Sequence, residues 1–256
     1  MNHDEDIKDI ENRIEENRKN ILDRKKLSKQ QSEVLFNYFR DKVVYSANML
    51  AGSELTLEET QIVLEEETLI KDKSVRDYYL AQGMADAFDL MIKQYNKPIK
   101  ETSLKKIHSK LYGKVNDKKG GKYRELQVFI PQLQYMPPSG DDVPGLMTRF
   151  MEQMEYSDEV LTPLEYAIMC HRKILEIQPY WEGNIQMAII AANMVLLKNG
   201  YGLLYINENY REAYFKAFIT SLKSGNIVVD DLVRLFEKCL LETQREFIDV
   251  LNAITN

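Results

Sequence analysis

Apolar positions recur at helical spacing along nearly the whole chain. Between about 5 and 26, Ile7, Ile10, Ile14 and Ile21 form one stripe on a charged stretch, the pattern of an amphipathic helix with a solvated outer face. Val34, Leu35, Tyr38, Phe39 and Val43 predict a second helix over about 28–48. Thr56–Glu59 reads TLEE, a capping box that opens a third. Residues 74–95 and 102–111 supply two more, with Asn96-Lys97-Pro98 as the break between them.

The pattern then changes. Lys118–Pro138 holds paired glycines, a β-favouring run at Val128-Phe129-Ile130 and several prolines, which predicts a short hairpin or flap. Helical spacing resumes after Pro144. Thr162-Pro163-Leu164-Glu165 combines an N-cap, a first-turn proline and a capping-box carboxylate. That helix should end near Ile177, because Gln178 precedes Pro179 and a residue before proline avoids the α region. The next helix, about 184–198, is apolar on every face and so belongs at the centre of a domain. Helices near 208–222 and 229–251 complete the chain. The expected fold is mainly α, with one small β-hairpin flap and an N-terminal helical extension.

Composition narrows the function classes. The 256 residues carry a net charge of −6, whereas a surface that tracks nucleic-acid phosphates has a basic excess. The longest apolar run, Met187–Leu197, falls short of the roughly 20 residues a membrane-spanning helix needs. The acidic Met1–Asp6 start lacks the apolar stretch of a secretory leader. Cys170 and Cys239 have no metal-type spacing, which fits a reduced, cytoplasmic protein. His3, His108 and His171 are too scattered for a zinc site.

Candidate chemistry concentrates in Ile177–Ile190, IQPYWEGNIQMAII. Gly183 and Asn184 stand where a loop enters a buried helix, and the unpaired N–H groups of such an end suit an anion. Glu182, just before, is a ligand type for a magnesium ion bridging nucleotide phosphates. The same residues also suit a tight interhelical turn in which Gly183 is permissive and Glu182 caps the helix.

This stretch resembles the signature of the Fic (Fido) family, His-Pro-Phe-x-Asp/Glu-Gly-Asn-Gly-Arg-x-x-Arg. GKYRELQVFI, YMPP and VPGLM resemble that family's flap and the segment after it, and PLEYAIMCHRKILEI resembles the helix before the signature, with His171 seven residues ahead of the catalytic position. NGYGLLYI, YREAYFKAF and SGNIVVDDLVRLFEKC fit the helices that follow. SANMLAGSELTLEE, residues 46–59, is similar to the inhibitory-helix segment of many members. The implied division is an N-terminal helical region over 1–100 and a Fic-like core over 101–256.

The resemblance implies transfer of AMP from ATP to a hydroxyl side chain of a target protein, with ATP and Mg2+ as cofactors. It makes the signature His the general base, the acidic residue the metal ligand, Gly-Asn-Gly the phosphate cradle and the two arginines its counter-charges. Gln178 stands at the base position, and an amide cannot take up the proton, so a contribution of roughly 10²–10⁴-fold is expected to be lost. Glu182, Gly183 and Asn184 match the pattern. Ile185 replaces the second Gly, and Gln186 and Ile189 replace both arginines. Ala51 occupies the inhibitory Glu position, with Ala47 and Ser53 at its neighbours in the motif. Loss of that Glu together with Ile189 for its Arg partner is self-consistent, since a buried carboxylate without its partner is costly.

The flap residues Gln127, Val128, Phe129 and Ile130 are the implied docking edge for an extended target segment. The expected phosphate contacts are Gly183, Asn184 and Gln186, and the expected metal ligand is Glu182. Three functions stay in play: a catalytically impaired Fic-family pseudoenzyme that binds a protein partner, an active nucleotidyl- or phospho-transferase with a variant motif, and a structural helical interaction protein. Nucleotide binding and homo-oligomerisation stay open; neither nucleic acid nor membrane is an expected partner.

Overall fold

The computed structural model describes the backbone of residues 3–24, 26–224 and 230–255, and the side chains of these except 3–7, 132, 158 and 230. Ile7 of the predicted stripe, the predicted helix start at Val229 and residues 225–229 of SGNIVVDDLVRLFEKC lie outside the described side chains or residues. Ten α-helices account for most of the described chain: α1 His3–Leu22, α2 Lys29–Leu50, α3 Leu57–Glu66, α4 Val75–Ile92, α5 Glu101–Gly113, α6 Val143–Val160, α7 Pro163–Ile177, α8 Asn184–Lys198, α9 Arg211–Ser224 and α10 Asp230–Thr255.

Several helix starts follow directly from their caps. Ser28 with Gln31, Thr56 with Glu59, and Thr162 with Glu165 each form a reciprocal capping box, which satisfies two otherwise orphaned donors per helix. α8 is the central helix, as its uniform apolarity predicts. It is buried almost throughout and packs on α7, α2, α4 and α5. α1 lies along α10, where Ile14 is buried and the Arg18 Nε donates to the Asn199 carbonyl at 2.7 Å.

The expected β-hairpin is absent: no strand forms among the described residues. The nearest approach is a single antiparallel bridge between Ile130 and Tyr135, where the Ile130 N–H donates to the Tyr135 carbonyl at 2.9 Å and the Tyr135 N–H returns a bond of 3.3 Å. Extending that ladder by two residues would set position 128 against Pro137, which has no N–H to give. The Gln127 amide occupies the opening instead, donating from Nε2 to the Pro137 carbonyl at 2.7 Å. Pro131 turns the other side into a 3-10 helix over Pro131–Leu133. The β propensity of Val128-Phe129-Ile130 is real, but it has no partner that can complete the pairing.

Residues 201–206 form no strand and are held by side chains. Asn193 on α8 accepts from the Leu204 N–H at 2.7 Å and donates to its carbonyl at 2.9 Å. Ser46 on α2 does the same for Ile206, at 2.9 and 2.8 Å. This clasp ties the extended segment to the two helices that frame the candidate site.

Candidate functional site

The loop 178–183 joins α7 to α8, and its backbone is fixed at every step. Gln178 ends α7 in the left-handed conformation, with φ 49° and ψ 60°. Four non-glycine residues take positive φ among those described, and Gln178 is the only one of them that is buried. Such a conformation costs an L-residue about 1–2 kcal/mol, so it persists only where surrounding bonds enforce it. The Gln178 N–H donates to the Ile174 carbonyl at 2.8 Å, and the Gln178 carbonyl accepts from the Arg124 Nε at 2.7 Å.

Arg124 is the residue that sequence reasoning missed here. It is 1% exposed. Besides Gln178 it donates to the carbonyls of Leu126 at 2.7 Å, Pro138 at 2.5 Å and Ile177 at 3.2 Å. A guanidinium presents five N–H donors in a rigid fork, and here the fork bridges the C-terminus of α7 to both ends of the 126–138 segment. A cation also suits the negative end of a helix dipole. Its only sequence signal is being a lone arginine inside a segment that reads as a flap.

Tyr180 is buried and stacks on the His108 ring, with centroids 3.7 Å apart and planes within 8°. The Asn184 side chain grips its backbone, accepting from the Tyr180 N–H at 3.0 Å and donating to its carbonyl at 2.9 Å. Asn184, an expected phosphate contact, thus spends both ends of its amide on the loop. His108 completes the clamp. Its Nδ1 accepts from the Gly121 N–H at 2.9 Å, so the proton sits on Nε2, which donates to the Glu182 carbonyl at 2.9 Å. Burial pushes its pKa down to about 4, in keeping with a neutral ring in that tautomer.

Gly183 begins α8 with φ +80°. An added Cβ would meet Leu111 Cδ2 at 2.9 Å and His108 Nε2 at 3.3 Å. Both the backbone and the space require glycine here. Ile185, expected to resist a positive φ, lies inside α8 and outside the positive-φ residues, so its substitution adds bulk without backbone strain.

The Glu182 carboxylate is ion-paired with Arg76 in the first turns of α4. Both side chains are about half exposed, at 45% and 49%. The Tyr112 hydroxyl is pushed up to about 12 by burial and by the neighbouring Glu182 charge. Lys119 sits 3.8 Å above the ring centroid of Trp181. Sequence offers no signal for the Arg76 pairing, which spans 106 positions.

The remaining expected contacts are inside the protein. Gln186 is 2% exposed, and its Nε2 donates to the Asn48 Oδ1 on α2 at 3.0 Å. Its Oε1 has no partner among the described residues. Ile189 is fully buried. Ala51 caps the C-terminus of α2 and is exposed, so the burial cost expected of a Glu there does not apply in this arrangement. His171 lies apart in the core, with Nε2 3.0 Å from the Tyr214 hydroxyl and its ring edge-on to Phe236. Burial pushes it down to about 3.

The arrangement does not fit a magnesium–triphosphate. Glu182, the expected ligand, is already paired with a cation, and the two positions expected to hold counter-charges carry a buried amide and a buried isoleucine. No group of three His, Cys, Asp or Glu side chains that could hold a metal occurs among the described residues. No helix among them is long and apolar enough to cross a membrane.

Comparison with known proteins bears on both fold and family. The model of the Fic/DOC family matches residues 98–196. A protein adenylyltransferase Fic of Nematostella vectensis is 25% identical over 204 residues, covering 78% of this chain and 47% of that protein. One from Drosophila willistoni is 29% identical over 208 residues, covering 78% and 40%. The matches thus span less than half the length of these relatives. Among solved structures, Fic-1 from C. elegans superposes with a TM-score of 0.82 at 18% identity, over 96% of this chain and 73% of that one. A Fic domain containing signaling protein from Bacteroides thetaiotaomicron gives 0.79 at 20% identity, over 95% and 97%. At these identities the structural likeness speaks to the fold.

Proposed function

We propose that this chain, whose residues 98–196 match the Fic/DOC family model, has lost AMP transfer and serves as a protein-binding module on that scaffold. The observation that carries this reading is the state of α8. Gln186 is committed to Asn48 and Ile189 is sealed in the core, so neither position expected to supply a counter-charge can neutralise a triphosphate. Phosphoryl-type transfer depends on charge stabilisation and positioning, and Gln178 adds the loss of a general base. In this reading residues 101–256 are the Fic-like core, and 1–100 carry the remnant of an inhibitory segment around Ala51.

The binding face in this reading is the 126–136 segment. Leu126, Phe129 and Met136 are 62%, 55% and 63% exposed, a group of large apolar side chains on one short segment, as an interaction site presents. Arg124 fixes the segment's base, so docking would cost little ordering of the scaffold. Gln127 and Phe129 are exposed while Val128 and Ile130 are half-buried, which leaves alternate side chains available to an extended partner.

Incubation of the full chain with labelled ATP and magnesium, alone and in lysate, is expected to give background labelling. Robust transfer that disappears in Glu182→Ala would sink the proposal in favour of an active variant transferase. The docking half is read by hydrogen exchange of the isolated chain. The amides of residues 127–129 are expected to exchange fast and that of Ile130, bonded to Tyr135, more slowly. Full protection of 127–129 would rule out an open docking segment.

A further inference from the structure

We infer that Arg76 is a built-in cation at Glu182, which keeps divalent metal off the one metal-type ligand that the signature retains. The inference rests on reading Glu182 as the inherited metal position, and it assigns Arg76 a role of its own.

Both partners of the pair spring from fixed backbone. Ser74 caps α4 by accepting from the Asp77 N–H at 3.0 Å, which sets the position of Arg76 in the helix, and α4 packs on α5 and α8. On the other side, the Glu182 carbonyl is held by His108, and Gly183 enters α8 at φ +80° against Leu111 and His108, a place that only glycine fits. The guanidinium and carboxylate therefore meet by construction of the scaffold. Exposure of the two side chains, near one half each, means that solvent and ions reach the carboxylate freely. Access is not what excludes a metal; charge is. A divalent ion must displace the guanidinium and then share its surroundings. Repulsion between a guanidinium and a dication a few ångströms apart weakens binding about tenfold even under water-like screening.

The arrangement also explains how an acidic residue of this kind can persist at the mouth of α8 without a metal. A carboxylate near a helix N-terminus is favourable on its own, and Arg76 supplies the counter-charge. The same site without Arg76 would be a solvent-facing carboxylate next to a helix start, open to a cation with oxygen preference.

Manganese serves as the probe, followed by electron paramagnetic resonance and water-proton relaxation on the full chain. Arg76→Ala is expected to tighten Mn2+ binding at least about tenfold over the wild type, and Glu182→Gln in the same background is expected to abolish the gain. Arg76→Lys keeps the charge and should stay near the wild type. Thermal melting of each variant checks the fold; removal of a half-exposed pair is expected to leave it intact. Wild-type protein that already binds Mn2+ through Glu182 as tightly as Arg76→Ala would overturn the inference, as would an Arg76→Ala variant with no gain. A Lys variant that behaves like Ala would overturn the charge argument. Labelled-ATP transfer is scored separately, so activity in the wild type would count against the loss of catalysis and leave the metal measurement to stand or fall by itself.

Discussion

Arg124→Ala is expected to lower stability by at least about 3 kcal/mol, the scale seen when one partner of a buried charged network is removed. The reason lies in what the guanidinium leaves behind. Four backbone carbonyls, of Leu126, Pro138, Ile177 and Gln178, lose a charged donor, and a buried acceptor without its partner costs about 1–3 kcal/mol. Water entering the cavity recovers part of that sum, which is why the expected loss is smaller than four such costs. Burial already holds the guanidinium below its ordinary pKa, so the network works against a desolvation cost that only complete hydrogen bonding offsets. Arg124→Lys should fall between, since an ammonium has three donors on a point charge and cannot reproduce the fork. Urea unfolding gives the reading as a shift in midpoint at constant slope. A loss below about 1 kcal/mol for the alanine variant would show that the carbonyls find other donors and that Arg124 is not the pin of the loop. The local consequence is as informative as the global one: Gln178, no longer held at its carbonyl, should relax from its left-handed conformation.

Much of this architecture was legible from residues alone because it rests on local physics. The capping boxes at Thr56 and Thr162 mark the starts of α3 and α7 to the residue. The apolar run from Asn184 to Lys198 identifies the central helix, since no other position in a domain buries all faces of a helix. The Fic resemblance, carried by Pro179 and Glu182-Gly183-Asn184 with the segments around them, agrees with the family match over 98–196. The hairpin failed because propensity sees Val128-Phe129-Ile130 but not the opposing strand, and pairing stops where Pro137 falls in register. Arg124, Asn48 and Arg76 escaped notice for a related reason. Each acts on a group 54 or more positions away, or across two helices, and a lone arginine or asparagine looks the same whether it faces water or four carbonyls. Spacing reveals faces of elements; it does not reveal which elements meet.

The depth of the change in α8 gives the second large effect. Ile189→Arg, which restores the family's last arginine, is expected to cost several kcal/mol, enough to unfold a protein of ordinary stability. Ile189 is fully enclosed, and an ionised side chain placed there must either shed its hydration without a partner or force α8 from its neighbours. Ile189→Met preserves volume and apolarity, so its cost should stay below about 1.5 kcal/mol, which separates charge from packing. Denaturant midpoints and thermal melts of both variants make the comparison. An arginine variant as stable as the methionine one would mean that the 189 position has a route to solvent, and the counter-charge could then be rebuilt. If the cost is as large as expected, Gln178→His alone is not expected to give AMP transfer under the proposed reading, because it supplies a base beside a helix whose 186 and 189 positions are core. Charged side chains at both positions would require α8 to surrender the Gln186–Asn48 bond and part of its buried face together. Each of those contacts contributes to the fold, so placing arginines at both positions would have to pass through less stable variants.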